Sequence, residues 1–201
     1  MQHVVQQGEC VSSIADQYGF DWKLIWSHPD NAGLRSTRKD PNVLYEGDVV
    51  TIPDKKPGDT SKSTDQQHKF VKPGVPVHLV LQLLDDDKPR AGLPYELQIG
   101  GLMKSGSTDG SGFIRETIPA REREARLIVG SGTTRDCYTL QIGYLDPIDT
   151  DSGVKGRLVD LGYGVDDMRE GISACQRKMG LPVTGEIDDA TRNRLQERFG
   201  Q

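Results

Sequence analysis

The chain has little of what marks several common protein classes. Only 34% of its 201 residues are hydrophobic and 6% are aromatic, so one large apolar core is not expected. No apolar run is long enough to cross a bilayer as a helix, which predicts no membrane insertion. Glycine (23 residues) and proline (11 residues) are plentiful. This composition favours several small units with short elements and many turns.

Cysteine is scarce. The three cysteines, Cys10, Cys137 and Cys175, lie far apart. An odd number at such spacing forms neither a disulfide framework nor a zinc site. We therefore expect all three thiols to be reduced and at least partly buried.

Positive charge is not concentrated anywhere in the chain. The net charge is -5, from 25 basic and 30 acidic residues that are mixed along the sequence. The basic stripe that a phosphate backbone requires is missing, so nucleic acid is not expected as a partner. The first residues also lack the basic and apolar regions of a secretory signal. We therefore expect synthesis in the cytoplasm without a signal peptide.

Catalytic patterns are equally scarce. The paired histidine and acidic spacing of zinc peptidases is absent, and no histidine lies in a local catalytic arrangement with Cys10. Glu9 and Glu46, which lie in two different loops, are the only carboxylate pair that comes into consideration for glycoside hydrolysis. The sequence predicts that the protein is not an enzyme and uses no cofactor and no metal. The four histidines are scattered: His3, His28, His68 and His78.

What is present begins with residues 1–53, which read as one folded unit. A short apolar run ends at Gly8 and precedes an apolar stripe at helical spacing, which Gly19 ends. Asp21 is a typical N-cap for a second helix, and Pro29 limits that helix to about residue 28. Val49, Val50 and Ile52 then form a closing strand. The pattern predicts a βααβ unit.

The two ends of this unit resemble a lysin motif (LysM) domain. The resemblance rests on Val5-Gln6-Gln7-Gly8-Glu9-Cys10-Val11-Ser12-Ser13-Ile14-Ala15 and on Leu44-Tyr45-Glu46-Gly47-Asp48-Val49-Val50-Thr51-Ile52-Pro53. Cys10 stands where the family usually has threonine, and residues 33–40 are additional.

The resemblance implies a shallow groove for an N-acetylglucosamine chain between two loops. Val11 and Leu44 would pack the acetyl methyl group, and Tyr45 would cover a sugar face. Trp22 and Trp26 are candidates as well, but their helical spacing favours a place in the core. The implied glycan-binding residues are Gly8, Glu9, Cys10, Val11, Pro41, Asn42, Val43, Leu44 and Tyr45.

A polar linker, residues 54–74, separates this unit from a β-rich one, residues 75–147. Its final part, residues 69–74, alternates enough to form an edge strand. Five runs in the β-rich unit have strand character: 77–83, 95–99, 113–118, 126–129 and 138–142. The acidic turn 85–87 and the turn 108–112 resemble those of prealbumin-like or immunoglobulin-like modules, which implies an antiparallel β-sandwich that serves as a spacer. Contiguous aspartates favour a solvated turn over a cation site.

The last unit, residues 148–201, has three short helical patterns and is expected to form a small three-helix bundle. Val154, Leu158 and Leu161 lie on the first helix, the second follows Gly171, and Asp188 or Asp189 caps the third. The runs 153–163 and 175–191 resemble a bacterial peptidoglycan-binding domain, although the loop that the family has between them is shortened. The whole chain is thus predicted to be a multidomain α+β protein.

Two functions are compatible with these patterns. The first is a non-catalytic protein that binds peptidoglycan glycan strands. LysM units paired with wall-binding domains are familiar from phage tail-like machines and from type VI secretion or other contractile injection systems, so the resemblance implies delivery by such a machine and action at the cell wall or periplasm. The second is a structural adaptor of such a machine that contacts its spike, tube or effector proteins.

Overall fold

The computed structural model describes residues 1–55, 67, 77–164 and 166–199. The predicted linker 54–74 and the edge strand expected at 69–74 therefore lie almost entirely outside the described residues. The described parts contain both helices and antiparallel sheets, which confirms a mixed α+β class. None of the helices found in these parts has the length and apolarity needed to span a bilayer.

The N-terminal unit (residues 1–55) begins with strand β1 (Gln2–Val4) and helices α1 (Val11–Tyr18) and α2 (Trp22–Trp26). A 3-10 turn (Pro29–Asn31) leads into helix α3 (Ala32–Arg38), and strand β2 (Val49–Thr51) pairs antiparallel with β1. The expected βααβ order is incomplete, because residues 33–40 were predicted as an insertion and form most of a third helix. The helix was missed because none of its residues is buried.

The core of this unit is formed by side chains from α1, α2 and β2 and from residues next to the strands, and it includes Ile14, Ile25 and Val50, each 0% exposed. Trp22 and Trp26 pack against this cluster and are partly buried. Their helical spacing therefore indicated a structural role correctly.

The β unit (residues 77–142) has two larger antiparallel sheets. Strand β3 (Val77–Gln82) pairs with β8 (Phe113–Ile118). The other sheet has the order β10-β9-β6-β7, from β6 (Pro94–Ile99), β7 (Leu102–Ser107), β9 (Glu124–Ser131) and β10 (Thr134–Gln141). A short hairpin joins β4 (Leu84–Asp85) to β5 (Lys88–Pro89).

Buried residues of both larger sheets form one apolar cluster in the β unit. Leu97 and Leu127 are opposite each other in the register of β6 and β9, and Ile114 contributes from β8. Strand β7 was not predicted. Lys104, Gly106 and other polar or small residues occupy most of this edge strand, so its sequence lacks the alternation of apolar and polar residues that marks a strand. The β4–β5 hairpin was missed because its strands are only two residues long.

A polar network crosses the surface of this core. The hydroxyl of Tyr95 donates to Glu116 Oε1 at 2.7 Å, and Lys104 Nζ lies 3.0 Å from Glu116 Oε2. Burial of the phenol, with the Glu116 carboxylate beside it, raises the pKa of Tyr95 to about 12. The hydrogen bond from Tyr95, together with Lys104, lowers the pKa of Glu116.

The raised pKa of Tyr95 predicts a loss of stability at alkaline pH. The phenol ionises near pH 10 in the unfolded chain and near 12 in the folded one, so its contribution is complete below pH 10 and is lost as the pH rises from about 10 to 12. We expect this loss to reach on the order of 2 kcal/mol. Urea unfolding of the wild type and of Tyr95→Phe between pH 8 and 12 measures it, and identical pH dependence in the two proteins contradicts it.

The helical unit (residues 150–199) packs α4 (Asp151–Asp160), α5 (Met168–Lys178) and α6 (Asp189–Phe199) around Val154, Leu158 and other apolar residues. Thr150 caps α4 by accepting from Gly153 N. Asp188 accepts from Thr191 N at 2.8 Å and so takes the predicted capping position of α6.

Gly171 was predicted to precede the second helix of this unit, but it lies inside α5, which Asp167 caps. Within the helix, glycine is required at this position because another part of the backbone lies close to it. A Cβ at residue 171 would lie 2.5 Å from the carbonyl oxygen of Gly164, so the close approach of that backbone excludes a side chain. The sequence interpretation placed the helix start one turn too late.

The acidic turn is not merely solvated. Asp86 and Asp87 form the tip of the β4–β5 hairpin with positive φ angles of 45° and 63°, and they reach the helical unit. Lys178 Nζ lies 3.1 Å from Asp86 and 2.7 Å from Asp87, and Arg198 lies 2.8 Å from Asp87. Hydrogen bonds from Lys178 and then from Arg198 lower the pKa of Asp87. The turn therefore links two units.

The cysteines are free thiols, but they are not all shielded. Cys175 is buried and Cys10 is partly buried, as expected, whereas Cys137 is exposed. Cys137 lies on β10, the edge strand of its sheet, so one face and one edge of that strand are open to solvent. The prediction of burial was wrong at this position.

Candidate functional site

The candidate site is formed by two loops of the N-terminal unit. The first groove loop (residues 8–11) follows β1, and the second groove loop (residues 41–45) precedes β2. The structure brings them together, since Val11 N donates to the carbonyl oxygen of Pro41 at 2.9 Å. The two segments singled out in the sequence are therefore neighbours in space.

The first groove loop is held by the start of α1. Cys10 is the N-cap, and its thiol accepts from Ser13 N at 3.4 Å while Ser13 Oγ accepts from Cys10 N at 3.0 Å. This reciprocal pair is a capping box, with a thiol in place of the usual hydroxyl. Although LysM domains usually have threonine at this position, Cys10 therefore forms the same capping contacts.

Glu9 is committed to contacts within its own unit. Its Oε2 lies 2.7 Å from His3 Nε2 and accepts from Gln6 N at 2.9 Å. The other ring nitrogen of His3 lies 3.1 Å from the Tyr18 hydroxyl. The carboxylate thus ties the loop to β1 and α1, and it has little freedom to bind a ligand by itself.

Burial divides the candidate residues into two sets. Val11, Val43 and Leu44 are 0%, 7% and 6% exposed, so they support the loops from within and offer almost no surface to a sugar. Asn42 and Tyr45 are exposed. The accessible part of the site is consequently polar and aromatic, and it lacks the apolar floor that the resemblance implied.

Tyr45 contacts an ion pair, Arg38 and Asp48, that was not predicted from the sequence. The guanidinium of Arg38 lies 5.5 Å from the centre of the Tyr45 ring, and it contacts Asp48 through Nε at 2.7 Å and Nη2 at 2.9 Å. Asp48 also accepts from Tyr45 N at 2.9 Å. The hydrogen bond to Asp48 raises the pKa of Arg38. The pair fixes the orientation of the ring.

The connecting segment (residues 143–149) between the β unit and the helical unit contacts the first groove loop at Gly8 and two residues outside the loops, Gln7 and Arg38. A Cβ at Gly143 would lie 2.4 Å from the carbonyl oxygen of Gly8. Gln7 donates to Asp146 at 3.2 Å, and Arg38 lies 3.6 Å from Asp149. No sequence pattern pointed to these contacts, because they join residues more than a hundred positions apart.

A concavity of about 470 Å³ lies elsewhere, at the turn between β6 and β7. Its lining includes Leu102 and Met103, which are 50% and 69% exposed. Within the described part of the chain, no group of histidine, cysteine or acidic side chains is placed to hold a metal ion.

The helical unit has a second feature that depends on one buried side chain. Gln176 is 0% exposed, and its Nε2 shares two N–H donors among three acceptors at 2.9 to 3.1 Å: Thr184 Oγ1, the Glu186 carbonyl and Thr191 Oγ1. Its Oε1 accepts from the backbone of Thr184 and Gly185 at 2.9 and 3.0 Å. One amide therefore holds the turn between α5 and α6 in place.

Buried arginine supports the other end of this unit. Arg157 is 0% exposed, donates to the carbonyl oxygens of Asp146 and Gly153 at 2.8 Å, and lies over the ring of Phe199. Burial lowers the pKa of Arg157. Arg192 donates to the Ile148 carbonyl at 2.6 Å. These two arginines attach the connecting segment to the helices.

Comparison with known proteins assigns the helical unit. A family model described as a putative peptidoglycan binding domain matches residues 141–195, a region that covers the connecting segment, α4, α5 and most of α6. Searches of the curated proteins and of the solved structures found no match. The predicted similarity of the C-terminal region to a peptidoglycan-binding domain is thus confirmed, and the match covers less than half of the chain.

Proposed function

We propose that the protein binds peptidoglycan without cleaving it and that the helical unit provides the main contact. The observation that carries this proposal is the match of the peptidoglycan-binding family model to residues 141–195. The matched region is a packed bundle whose turn at residues 181–186 is held by Gln176. A preformed surface of this kind binds a flexible polymer without first having to be ordered.

The N-terminal unit would supply a second, weaker glycan contact through the candidate site. Tyr45 presents a ring that Arg38 and Asp48 hold in place, and Asn42 and the backbone of the loops offer hydrogen-bonding groups. An aromatic ring against a sugar face contributes modestly by itself. Two sites on one chain raise the apparent affinity for a repeating polymer through a high effective concentration.

We place this activity at the cell wall or periplasm, as an accessory to a phage tail-like, type VI or other contractile injection machine. The combination of a LysM-like unit and a peptidoglycan-binding unit supports this setting. The partners are peptidoglycan glycan strands and, within the machine, spike, tube or effector proteins.

The second candidate function is a structural adaptor of such a machine. The contacts of residues 143–149 with Gln7, Gly8 and Arg38 favour it, because they use the surroundings of the candidate site for docking within the protein. If the protein is such an adaptor, a spike or tube component co-purifies with it in a pull-down from its own cells. Failure to recover such a component, together with a monomeric state in solution, contradicts this function.

Substitution of Tyr45 tests the glycan contact. We expect Tyr45→Ala to weaken binding to insoluble peptidoglycan by about fivefold, since a lost aromatic contact costs roughly 1 kcal/mol. Tyr138→Ala is the matched control, because Tyr138 is 38% exposed and Tyr45 is 37% exposed. The measurement is the fraction bound in co-sedimentation over a range of peptidoglycan concentrations.

If Tyr45→Ala and Tyr138→Ala bind peptidoglycan equally well, Tyr45 does not contact the glycan. The same samples test the absence of catalysis. Supernatants from long incubations are analysed for soluble sugar and peptide fragments, and we expect none above the level of a protein-free control. Release of such fragments by the wild type contradicts a purely binding function.

A further inference from the structure

One end of the four-stranded sheet in the β unit carries the concavity at the β6–β7 turn, which the proposed function leaves without a role. Its volume is about 470 Å³, and the first residues of β9 form its other side. Ile99 and Ala125, which are 2% and 3% exposed, belong to its lining and to the core. The turn residues Gly100 and Gly101 add no side chains that could fill it. The concavity is therefore open and rests on an ordered base.

The register of the sheet places a row of three side chains beside this concavity. Gln98 is opposite Met103 on one side and opposite Arg126 on the other. Leu97 and Leu127, which alternate with this row along the strands, are both 0% exposed and belong to the core. The row therefore lies on the outer face of the sheet. Because neighbouring strands are about 4.8 Å apart, the two ends of the row are roughly 10 Å from each other.

The outer face also brings two opposite charges to the concavity. Glu124 and Arg126 both line it, and both are exposed. They lie two residues apart on one face of β9, so their backbones are about 7 Å apart. Among the residues that the structure describes, neither side chain forms an ion pair with the other or with a third residue. The guanidinium is thus available to a carboxylate, and the carboxylate is available to an ammonium group.

Apolar surface lies at the other end of the row. Met103 is 69% exposed, and its neighbour Leu102 is 50% exposed. A methionine side chain adapts to ligands of different shape. The matching ligand has a carboxylate and an ammonium group about 7 Å apart and an aliphatic part within roughly 10 Å of them. A peptide of two or three residues has these dimensions.

Peptidoglycan contains short peptides with this chemistry. Its stem peptides carry free carboxylates and the methyl groups of alanine, and those built with diaminopimelate also carry an ammonium group. A folded partner protein is a poorer match, because stable protein interfaces bury roughly 1,200 Å² or more in total. The size and the charges of the concavity favour the stem peptide.

We propose that this concavity binds the stem peptides of peptidoglycan, with Arg126 on a carboxylate, Glu124 on the ammonium group and Met103 against the aliphatic part. The inference rests on the proposed function and assigns the peptide part of the same polymer to the β unit. The β unit is then a third contact with the polymer instead of a spacer. A further contact on the same chain raises the apparent affinity for the polymer.

The test uses the full chain and a soluble stem tripeptide, N-acetyl-L-alanyl-γ-D-glutamyl-diaminopimelate, as the probe. Titration followed by NMR should shift the amide resonances of residues 98–103 and 124–126. We expect Arg126→Gln to weaken binding of the tripeptide by about tenfold or more, because it removes charge-assisted hydrogen bonds to a carboxylate. Arg135→Gln is the matched control, since Arg135 is an exposed arginine of β10 in the same sheet and does not line the concavity. The control should bind like the wild type.

Two further measurements identify the ligand. An N-acetylated tripeptide of L-alanine, L-glutamate and L-lysine carries both kinds of charge in a different geometry, and we expect it to bind at least about fivefold more weakly than the stem tripeptide. Glycan strands from which an amidase has removed the stem peptides should bind the wild type and Arg126→Gln equally well.

The outcomes separate this inference from the proposed function. Equal tripeptide affinity of Arg126→Gln and Arg135→Gln overturns the inference, as do amide shifts confined to the helical unit or equal binding of the all-L tripeptide. In each of these cases, sedimentation of the wild type with insoluble peptidoglycan continues to support the proposed function. Failure of the wild type to sediment with intact peptidoglycan overturns the proposed function itself.

Discussion

Replacement of Gln176 by alanine is expected to lower the free energy of unfolding of the helical unit by about 3–5 kcal/mol, because it leaves several buried donors and acceptors without partners at roughly 1 kcal/mol each or more. The side chain is 0% exposed, and five hydrogen-bond partners lie within 2.9 to 3.1 Å of its amide atoms, three of which share its two N–H donors. An effect of this size is large for a domain of a few helices.

Urea unfolding followed by circular dichroism measures the change, and hydrogen exchange of residues 184–191 assigns it to the helical unit. Gln196→Ala is the matched control, since Gln196 is exposed on α6, and it should change the stability by less than about 0.5 kcal/mol. Similar effects of the two substitutions contradict the role given to Gln176. Because the turn at residues 181–186 depends on this amide, peptidoglycan binding should decrease in Gln176→Ala as well.

Asn31→Ala is expected to have the second largest effect, a loss of about 2–4 kcal/mol in the stability of the N-terminal unit. Asn31 is 1% exposed, and its amide donates to the carbonyl oxygens of Ile25 and Thr51 at 2.8 and 2.9 Å while accepting from Thr51 N at 2.7 Å. The side chain joins α2 to β2. Without it, the backbone N–H and carbonyl of Thr51 lose their partner inside the unit, while the Ile25 carbonyl keeps the hydrogen bond from His28 N.

Hydrogen exchange of β1 and β2 measures this loss locally. Asn193→Ala, on the exposed face of α6, is the control and should leave the exchange of both strands unchanged. Protection of Thr51 N in Asn31→Ala equal to that in the wild type would mean that the amide is not needed to hold β2. The loops at residues 8–11 and 41–45 join these strands to the helices, so the same variant should also weaken the Tyr45-dependent glycan contact.

The elements that the sequence predicted are those whose buried face is apolar. Strands β6, β8 and β9 alternate apolar and polar residues, and α1 and α4 carry apolar stripes, so burial and period agree. Strand β7 and helix α3 were missed because they bury little apolar surface. Backbone pairing with β6 positions β7, and the 3-10 turn positions α3. Neither interaction requires a hydrophobic pattern in the sequence.

The candidate site was predictable only in part. The proximity of residues 8–11 and 41–45 followed from the resemblance, but the burial of Val11 and Leu44 did not, since a pattern of apolar residues does not distinguish a groove floor from a core. The roles of Asn31 and Gln176 were invisible, because an amide is polar in sequence whether or not it is buried. Contacts between units, such as that of Asp149 with Arg38, depend on tertiary placement alone.

The central claim is that this protein binds peptidoglycan, and co-sedimentation of the full chain with insoluble peptidoglycan tests it most directly. We predict that the wild type pellets with the polymer in a saturable manner and that Gln176→Ala remains largely in the supernatant. A wild-type protein that stays in the supernatant, while a known peptidoglycan-binding protein pellets under the same conditions, contradicts the account.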